Sequence, residues 1–275
     1  MMQIKELIDI ATKELKDISR RPKLEAEILL AHAMQCERID LHRRYFDEVE
    51  SDDFLRMLSL RKNHIPIEYI TEEVSFYSET FIIRPGVLIP RPETELLIDH
   101  AAKIIEEQAI SHVVEIGTGS GIVAVMLAKH FPHLNLQAVD INPKAIALAR
   151  ENAERFGVSK QITFIESSLL DSVQEPIDMV ISNPPYIANH YPLDATVCHE
   201  PDNALFGGES GDEIIRMIID ATMEKKISWL AIEMGYDQKA TLSRYMDEKG
   251  VFQYSFYEDL AGLDRGFTAH LSYLN

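Results

Sequence analysis

From about residue 93 the sequence alternates short apolar runs with helical segments, and this alternation is the feature that most constrains the fold. The apolar runs predict five buried strands: HVVEI (112–116), LQAVD (136–140), QITFIE (161–166), IDMVIS (177–182) and SWLAIE (228–233). Strands that are joined by helices in this way pair in parallel and carry helices on both faces of the sheet. We therefore expect an α/β domain with a mostly parallel sheet.

Local signals mark two further elements of this domain. After the second predicted strand, Asn142 should cap a helix that has Pro143 at its first position, and Gly157 should end that helix. Near the end of the sequence, apolar and polar residues alternate from Phe267 to Tyr273. A period of two predicts a late antiparallel strand with one face more exposed than the other.

The first 70 residues have a different pattern. Apolar residues recur there at helical spacing, at Ile4, Leu7, Ile8, Ala11, Leu15 and Ile18. The segment VSFYSETFIIRPGVLIP then changes to short β-like runs with proline and glycine, which favours a hairpin. We expect a helical domain over residues 1–73, a β-hairpin linker over 74–92 and the α/β domain over 93–275.

The net charge of the protein bears on whether it binds nucleic acid. The net charge is −18, and residues 1–75, with 12 basic and 16 acidic side chains, carry only −4 of it. The α/β part, at −14, would repel phosphates, so we expect no direct nucleic-acid binding.

No apolar run reaches the ~18 residues of a membrane span. The two cysteines, Cys36 and Cys198, are far apart in the sequence, so we expect no disulfide framework and no thiolate metal site, in keeping with a reducing cytoplasm. We also expect a monomer.

A glycine-rich turn follows the first strand of the α/β domain. In EIGTGSG (115–121) the three glycines allow a tight turn and a close approach of the backbone to a ligand. The spacing differs from the dinucleotide GxGxxG pattern, and the Gly-Lys-Ser/Thr of a phosphate loop is absent. Asp140 ends the second strand, where a carboxylate can accept both hydroxyl protons of a ribose. The pair predicts a nucleoside ligand, although a dinucleotide enzyme also fits these features alone.

The fourth strand ends in SNPPYI (182–187), which should face the same crevice. Proline disfavours the helical region for the residue before it, so Asn183 and Pro184 are held extended. The amide oxygen of the Asn183 side chain and the backbone oxygen of Pro184 can then converge on one NH₂ group, and Tyr186 can cover its plane. The alternative is a stiff loop with a packed tyrosine.

Together GTGSG, Asp140 and NPPY resemble the class I S-adenosylmethionine-dependent methyltransferases that methylate planar amide or amine nitrogens, whose domain is Rossmann-like. Further segments resemble the HemK/PrmC family, the peptide chain release factor glutamine N5-methyltransferases. They are LLAHAM, RKNHIPIEYITEEVSFYSETFIIRPGVLIPRPETELL, EPDNALFGGESGD, IEMGYDQ and DLAGLDRGF. The resemblance covers nearly the whole sequence, and LIPRPETE with NPPY is a specific pair. It implies a helical substrate-recognition domain and, as substrate, the glutamine of the Gly-Gly-Gln tripeptide in class-1 release factors.

The resemblance also implies roles for individual residues. The methionine part of S-adenosylmethionine would lie against the loop of Gly117, Thr118, Gly119, Ser120 and Gly121. Asp140 would hold the ribose, the adenine would lie by Ser168 or Leu169, and Asn183 would also contact the cofactor. Asn183, Pro184 and Tyr186 would be the catalytic residues. The glutamine pocket would be formed by the residues Asn183, Pro184, Pro185, Tyr186, Arg91, Pro92, Glu93 and Thr94. Asp212 stands where the family commonly has an apolar residue, and the sequence gives no role for it.

The chemistry of an amide fits this set without a metal. The lone pair of an amide nitrogen is delocalised, and accepting both N–H bonds orients that lone pair toward a methyl donor. Positioning can contribute up to ~7–11 kcal/mol in model reactions. Three alternatives stay open: a glutamine on a ribosomal protein, an exocyclic amine of a nucleic acid, and a non-catalytic module that only binds the cofactor.

Overall fold

The computed structural model describes residues 1–271, which divide into two compact units. The first unit comprises residues 1–73 together with residues 193–199. The second unit comprises residues 74–192 together with the residues from 200 onward. No helix in the described residues is both long and apolar enough to cross a membrane.

The first unit is helical around its own core. Its elements are β1 (Met2–Gln3), α1 (Ile4–Glu14), α2 (Pro22–Ala33), α3 (Arg38–Arg43), β2 (Glu48–Val49), α4 (Asp52–Lys62) and α5 (Ile67–Thr71). The residues at helical spacing on α1, including Leu7 and Ala11, are fully buried against α2 and α4. A buried ion pair between Arg61 and Glu25 (2.7 Å) joins α4 to α2. In the separate segment of this unit, the ring of His199 contacts the Asn63 carbonyl at 3.2 Å.

The second unit is an α/β sandwich that begins with a hairpin. Its elements are β3 (Glu73–Phe76), β4 (Glu79–Ile82), α6 (Thr94–Gln108), β5 (His112–Ile116), α7 (Ile122–His130), β6 (Asn135–Asp140), α8 (Pro143–Arg155), β7 (Ile162–Glu166), β8 (Met179–Ser182), β9 (Ile187–Ala188), β10 (Phe206–Gly208), α9 (Glu213–Glu224), β11 (Trp229–Glu233), α10 (Lys239–Glu248), β12 (Gln253–Glu258) and β13 (Asp264–His270). The hairpin strands end at Ile82, so the rest of the predicted linker segment has no strand.

Seven strands of the described residues form one sheet in the order β12-β13-β11-β8-β5-β6-β7. The five adjacent strands from β11 to β7 pair in parallel, and β13 pairs antiparallel with both β11 and β12. This confirms the predicted fold class, a class I methyltransferase fold with a mostly parallel sheet. The prediction missed β12, an edge strand whose residues Gln253, Ser255 and Glu258 are exposed and which therefore lacks a long apolar run.

The predicted strands agree with the structure except at their ends. The fourth begins at Met179 and not at 177, although the Asp178 backbone already bonds to both neighbouring strands: its N–H donates to the His112 carbonyl at 2.9 Å and its carbonyl accepts the Trp229 N–H at 3.2 Å. The late strand is confirmed over 264–270, with Phe267 and Ala269 buried. The predicted positions Ser272 and Tyr273 lie outside the described residues.

Two apolar cores, one on each face, hold the sheet between its helices. Because β5, β6, β8 and β11 are parallel, their carboxyl ends meet at one edge of the sheet. At these ends lie the glycine-rich loop, Asp140, the SNPPYI segment and Glu233. The fold therefore collects at one edge the residues that the sequence singled out.

Candidate active site

The glycine-rich loop between β5 and α7 is shaped by positive φ angles. Gly117, Gly119 and Gly121 have φ of 74°, 55° and 80°, a region that side chains disfavour. A Cβ atom at Gly121 would lie 2.8 Å from the Cβ of Ala149, so glycine lets α7 start close against α8. The loop is fixed to β6, because the backbone N–H groups of Gly117 and Thr118 both donate to the Val139 carbonyl, at 2.8 and 2.9 Å.

Asp140 closes the other side of this loop. Its Oδ2 accepts the Gly119 N–H and its Oδ1 accepts the Asn142 N–H, each at 2.9 Å. Burial raises the pKa of Asp140 above the usual range for aspartate, and the donated N–H groups oppose that shift. A carboxylate held in this way lies at the edge of a cleft and retains lone pairs for further donors.

A cleft of about 200 Å³ opens between the loop and the strand ends. Eight of the residues predicted for the site line it: Gly117, Gly119, Asp140, Ser168, Leu169, Asn183, Pro184 and Pro185. Leu169 has a φ of 46°, which is uncommon for a leucine and directs the backbone beside the cleft. Apolar side chains of α9, among them Ile214 and Met217, line the cleft as well.

Thr118 and Ser120 support the loop from behind and do not line the cleft. Both are almost fully buried. The Thr118 hydroxyl donates to Glu115 Oε2 at 2.7 Å, and the Ser120 carbonyl accepts from the Asn152 amide at 2.8 Å. Glu115 also accepts the Ala124 N–H at 3.1 Å, which ties the end of β5 to the first turn of α7. Burial raises the pKa of Glu115 to about 8.

Asn183 follows β8 directly, and its side-chain amide is held in one orientation. Its Nδ2 donates to the Thr94 hydroxyl at 2.9 Å, an assignment that follows from the hydrogen-bond network. Thr94, at the start of α6, is 2% exposed, so it lies behind Asn183. Because the nitrogen is engaged, the Asn183 carbonyl oxygen is the acceptor that remains for a ligand.

Tyr186 is anchored at both ends. Its hydroxyl donates to Glu233 Oε1 at 3.1 Å, and its backbone carbonyl accepts from the Gln238 amide at 2.9 Å. Burial and the neighbouring carboxylate raise the pKa of Tyr186, so the phenol keeps its proton. Glu233 is 1% exposed, and burial raises its pKa to about 7.

A second segment, FGGESG (206–211), packs backbone to backbone against NPPYI. In it β10 pairs in parallel with β9. A Cβ atom at Gly207 would lie 2.5 Å from the Pro185 carbonyl oxygen, and one at Gly211 would lie 2.5 Å from that of Tyr186. Asp212, which had no assigned role, precedes α9, is 2% exposed and forms an ion pair with Arg216 at 2.7 Å.

The predicted RPET segment (91–94) lies beside these residues, but its members have different surroundings. Arg91 forms an ion pair with the buried Glu200 at 2.5 Å, and the other Glu200 oxygen accepts the Ile89 N–H at 2.9 Å. Glu93 lies 3.8 Å from Arg265, which links the segment to β13. Pro92 is exposed.

Three buried acidic residues, Glu115, Glu200 and Glu233, were not assigned roles from the sequence. Glu200 and Glu233 lie in segments that carried the family resemblance, and Glu115 begins the quoted turn EIGTGSG; these were the signals that could have found them. In the part of the protein that is described, no group of three His, Cys, Asp or Glu residues could hold a metal ion.

Comparisons with known proteins agree with this arrangement. The PrmC N-terminal domain matches residues 6–71, and the methyltransferase small domain matches residues 92–200. The chain is 34% identical over 278 residues to the release factor glutamine methyltransferase of Koribacter versatilis, covering 96% of this chain and 97% of that protein. It is 36% identical over 236 residues to the protein of the same name from Dictyoglomus turgidum, covering 83% and 84%.

Among solved structures, the catalytic domain of human METTL16 in complex with an RNA hairpin is similar, with a TM-score of 0.59 and 17% identity over 78% of this chain and 79% of that one. The N-terminal domain of human METTL16 in complex with SAH has a TM-score of 0.51 and 18% identity over the same shares. At such identity these neighbours establish the fold alone, whereas the curated relatives establish more. On their identity and coverage, the chain belongs to the release factor glutamine methyltransferase family.

Proposed function

We propose that this protein transfers the methyl group of S-adenosylmethionine to the side-chain amide nitrogen, N5, of the glutamine in the Gly-Gly-Gln tripeptide of class-1 peptide chain release factors. The observation that carries the proposal is the orientation of Asn183. Thr94 engages the Asn183 nitrogen, so the Asn183 oxygen is presented beside a nucleoside-sized cleft. The names of the curated relatives support the choice of substrate.

The residues around the cleft fit S-adenosylmethionine. The positive-φ loop offers a backbone surface without side chains, on which Gly117 and Gly119 would border the methionine part. The Asp140 carboxylate is an acceptor for the ribose hydroxyls. Ser168 and Leu169, with the apolar side chains of α9, would enclose the adenine. When bound, the cofactor supplies an electrophilic methyl group on a positively charged sulfur.

The protein's own contribution is to grip and aim the amide. The Asn183 side-chain oxygen and the Pro184 backbone oxygen would each accept one N–H bond of the glutamine NH₂. Two acceptors in the amide plane increase the electron density on nitrogen and keep its lone pair perpendicular to that plane. Tyr186 would cover one face of the amide and exclude water. The nitrogen can lose its proton to water after the transfer, so this arrangement needs no strong general base.

The remaining assignments are part of the same proposal. Arg91, Pro92 and Glu93 would border the entrance of the glutamine pocket, and Thr94 would act through Asn183. Residues 1–73 would recognise the folded release factor, residues 74–92 would link the units, and residues 93–275 would bind the cofactor and carry out the transfer. We further propose that the protein acts as a cytoplasmic monomer without contacting nucleic acid. The charge of −14 on its catalytic part supports the last point.

A transfer assay with tritiated S-adenosylmethionine tests this function. Purified protein is incubated in separate reactions with class-1 release factor, with the Gln→Ala release factor, with ribosomal protein and with DNA or RNA. We expect label only in the unmodified release factor. Label in a ribosomal protein and not in the release factor would move the substrate to that protein. Label in nucleic acid alone would overturn the proposal.

A further inference from the structure

Glu233 is a buried carboxylate directly beside the amide-gripping residues. It is the last residue of β11, whose Ile232 pairs with Ser182, the residue before Asn183. It is 1% exposed. Burying a carboxylate is costly unless it is hydrogen-bonded, so its surroundings indicate what it contributes.

Two hydroxyl groups of the site face this carboxylate. The Tyr186 hydroxyl donates to Oε1 at 3.1 Å. The other oxygen, Oε2, is buried and has no partner at hydrogen-bond distance among residues 1–271. The neighbouring Thr94 hydroxyl favours the charged form of the same carboxylate and so lowers the pKa of Glu233. Oε1 therefore accepts the Tyr186 proton, and the unpaired Oε2 is an acceptor toward which the Thr94 proton can turn.

The Thr94 hydroxyl connects Glu233 to Asn183. A hydroxyl has one proton to donate and lone pairs that accept. If the Thr94 proton is directed at Glu233, a lone pair of the Thr94 oxygen faces Asn183. That lone pair accepts from Asn183 Nδ2, in agreement with the 2.9 Å hydrogen bond between the two atoms. The opposite orientation of the Asn183 amide would place its oxygen against that lone pair and turn an N–H group toward the substrate.

We propose that Glu233 is a positioning residue for methyl transfer: through the Thr94 hydroxyl it holds the Asn183 amide with its oxygen toward the substrate, and through the Tyr186 hydroxyl it fixes the ring over the amide plane. This inference rests on the proposed function. It adds a residue that acts through Thr94, Asn183 and Tyr186 and does not itself touch the reacting atoms.

The charge state of Glu233 makes the inference measurable. Burial raises its pKa to about 7; Thr94, Tyr186 and Arg265 lower it, and Glu93 raises it further. On the side of β12, the buried phenol of Tyr257 faces the same carboxylate. Above its pKa Glu233 only accepts hydrogen bonds. Below it, one oxygen carries a proton and competes as a donor, so the rate of transfer should rise with pH through about 7.

Two other titrating groups must be separated from this effect. His100 stacks on Tyr257 at a ring distance of 4.2 Å, and burial lowers its pKa. Glu115, whose pKa is raised to about 8, lies under the glycine-rich loop and would act through cofactor binding. Measuring kcat with saturating cofactor and release factor removes the contribution of Glu115, and a His100→Gln variant tests that of His100.

The experiment compares the pH profile of kcat for the parent, Glu233→Gln and Thr94→Val. Glutamine keeps the shape of Glu233 but neither accepts at both positions nor titrates. We expect kcat on the alkaline side to fall about 10- to 100-fold in Glu233→Gln, the range found when a hydrogen-bond partner behind a metal ligand is removed. The rise near pH 7 should disappear, while the Kd for S-adenosylmethionine and the Tm change little.

Thr94→Val removes the hydroxyl through which Glu233 is proposed to act on Asn183. It should lower kcat similarly, and the variant that combines Glu233→Gln with Thr94→Val should be no slower than the slower single variant, because the two residues act in series.

Thr222→Val is the matched control for Thr94→Val. Thr222 is fully buried and its hydroxyl bonds the Ile218 carbonyl at 2.7 Å, so its loss should leave kcat and the pH profile unchanged. His100→Gln should keep the rise near pH 7.

Four results would overturn the inference. A folded Glu233→Gln variant with parental kcat and an intact rise near pH 7 would do so. A lower Tm with a proportional loss of activity and an unchanged profile would assign Glu233 a structural role only. If Glu233→Gln does not fold, a Thr94→Val variant with parental kcat decides against it. A parent that leaves the release factor unmethylated overturns the proposed function itself, and the inference with it.

Discussion

Asn183 is the residue on which the proposed chemistry depends most. Thr94 engages the Asn183 nitrogen, so the Asn183 side-chain oxygen is free to face the substrate. Truncating the side chain therefore removes one of the two acceptors proposed for the substrate NH₂. We predict that Asn183→Ala lowers kcat by ~10²–10³, the usual cost of removing one preorganised hydrogen-bonding group. Single-turnover transfer with saturating cofactor and release factor measures it.

A matched control for this variant lies on the same segment. Asn189 follows β9 and is exposed, and its backbone N–H donates to the Gly208 carbonyl, a bond that alanine keeps. Asn189→Ala should react as fast as the parent, and both variants should melt near the parent. An Asn183→Ala variant that transfers methyl at nearly the parental rate would reduce the NPPY segment to a stiff turn.

At Asp140 the expected effect is on binding. Asp140→Ala removes an acceptor for the ribose and also the bonds to the Gly119 and Asn142 N–H groups that shape the loop. We predict that binding of S-adenosylmethionine weakens by ~1–3 kcal/mol in a calorimetric titration. The control is Asp178→Ala, which also removes a carboxylate that accepts two backbone N–H groups, but at the opposite edge of the sheet. An unchanged Kd in Asp140→Ala refutes the assignment.

Among the elements, the start of α7 depends on the absence of a side chain. Gly121 and Gly157 both have positive φ, of 80° and 71°, yet a Cβ atom would meet Ala149 at 2.8 Å in the first and nothing within 4 Å in the second. We predict that Gly157→Ala costs ~1–2 kcal/mol of unfolding free energy from backbone strain. Gly121→Ala should cost ~1–3 kcal/mol more, because it also overpacks the contact between α7 and α8.

Urea denaturation of the two glycine variants isolates that contact, since the strain of positive φ is common to both. The difference between their unfolding free energies is the quantity of interest. Equal losses would show that α7 can move away from α8 at little cost. In that case the close start of α7 would not be what demands glycine at position 121.

Most of these elements could be predicted because their signals are local. Asn142 caps α8 through the Lys144 N–H, at 3.0 Å, with Pro143 at the first helical position, as its sequence predicts. The connections within the candidate site are not local. Thr94 and Asn183 are 89 residues apart, and Tyr186 and Glu233 are 47 apart. No periodicity links such positions. The family resemblance placed Thr94 and Asn183 in one pocket, whereas Tyr186 and Glu233 meet because β8, which precedes Tyr186, and β11, which ends at Glu233, are neighbours in the sheet.

At the scale of the whole molecule, the question is how the enzyme selects one glutamine residue on a folded release factor. The catalytic unit has its own two cores, and the cleft and the hydrogen bonds around Asn183 lie within that unit. We predict that removing residues 1–72 leaves the Kd for S-adenosylmethionine nearly unchanged but strongly lowers kcat/KM on whole release factor. Calorimetry and steady-state kinetics measure the two quantities.

The truncated protein should still unfold cooperatively, and a melting curve provides that control. The segment 193–199, which packs with the helical unit, would lose its partners, including the contact of His199 with Asn63. Deleting this segment as well gives a second variant, which should behave like the first. Parental kcat/KM on the release factor in both variants would remove the recognition role from the helical unit.

The central claim is that the amide nitrogen of one glutamine receives the methyl group. Tandem mass spectrometry of the release factor after reaction tests it most directly, because it reports both the residue and the number of methyl groups. The account predicts one methyl on the side chain of the glutamine in the Gly-Gly-Gln tripeptide with the parent protein, and almost none with Asn183→Ala. A methyl group on any other residue of the release factor, or an unmodified tripeptide after prolonged reaction, would contradict it.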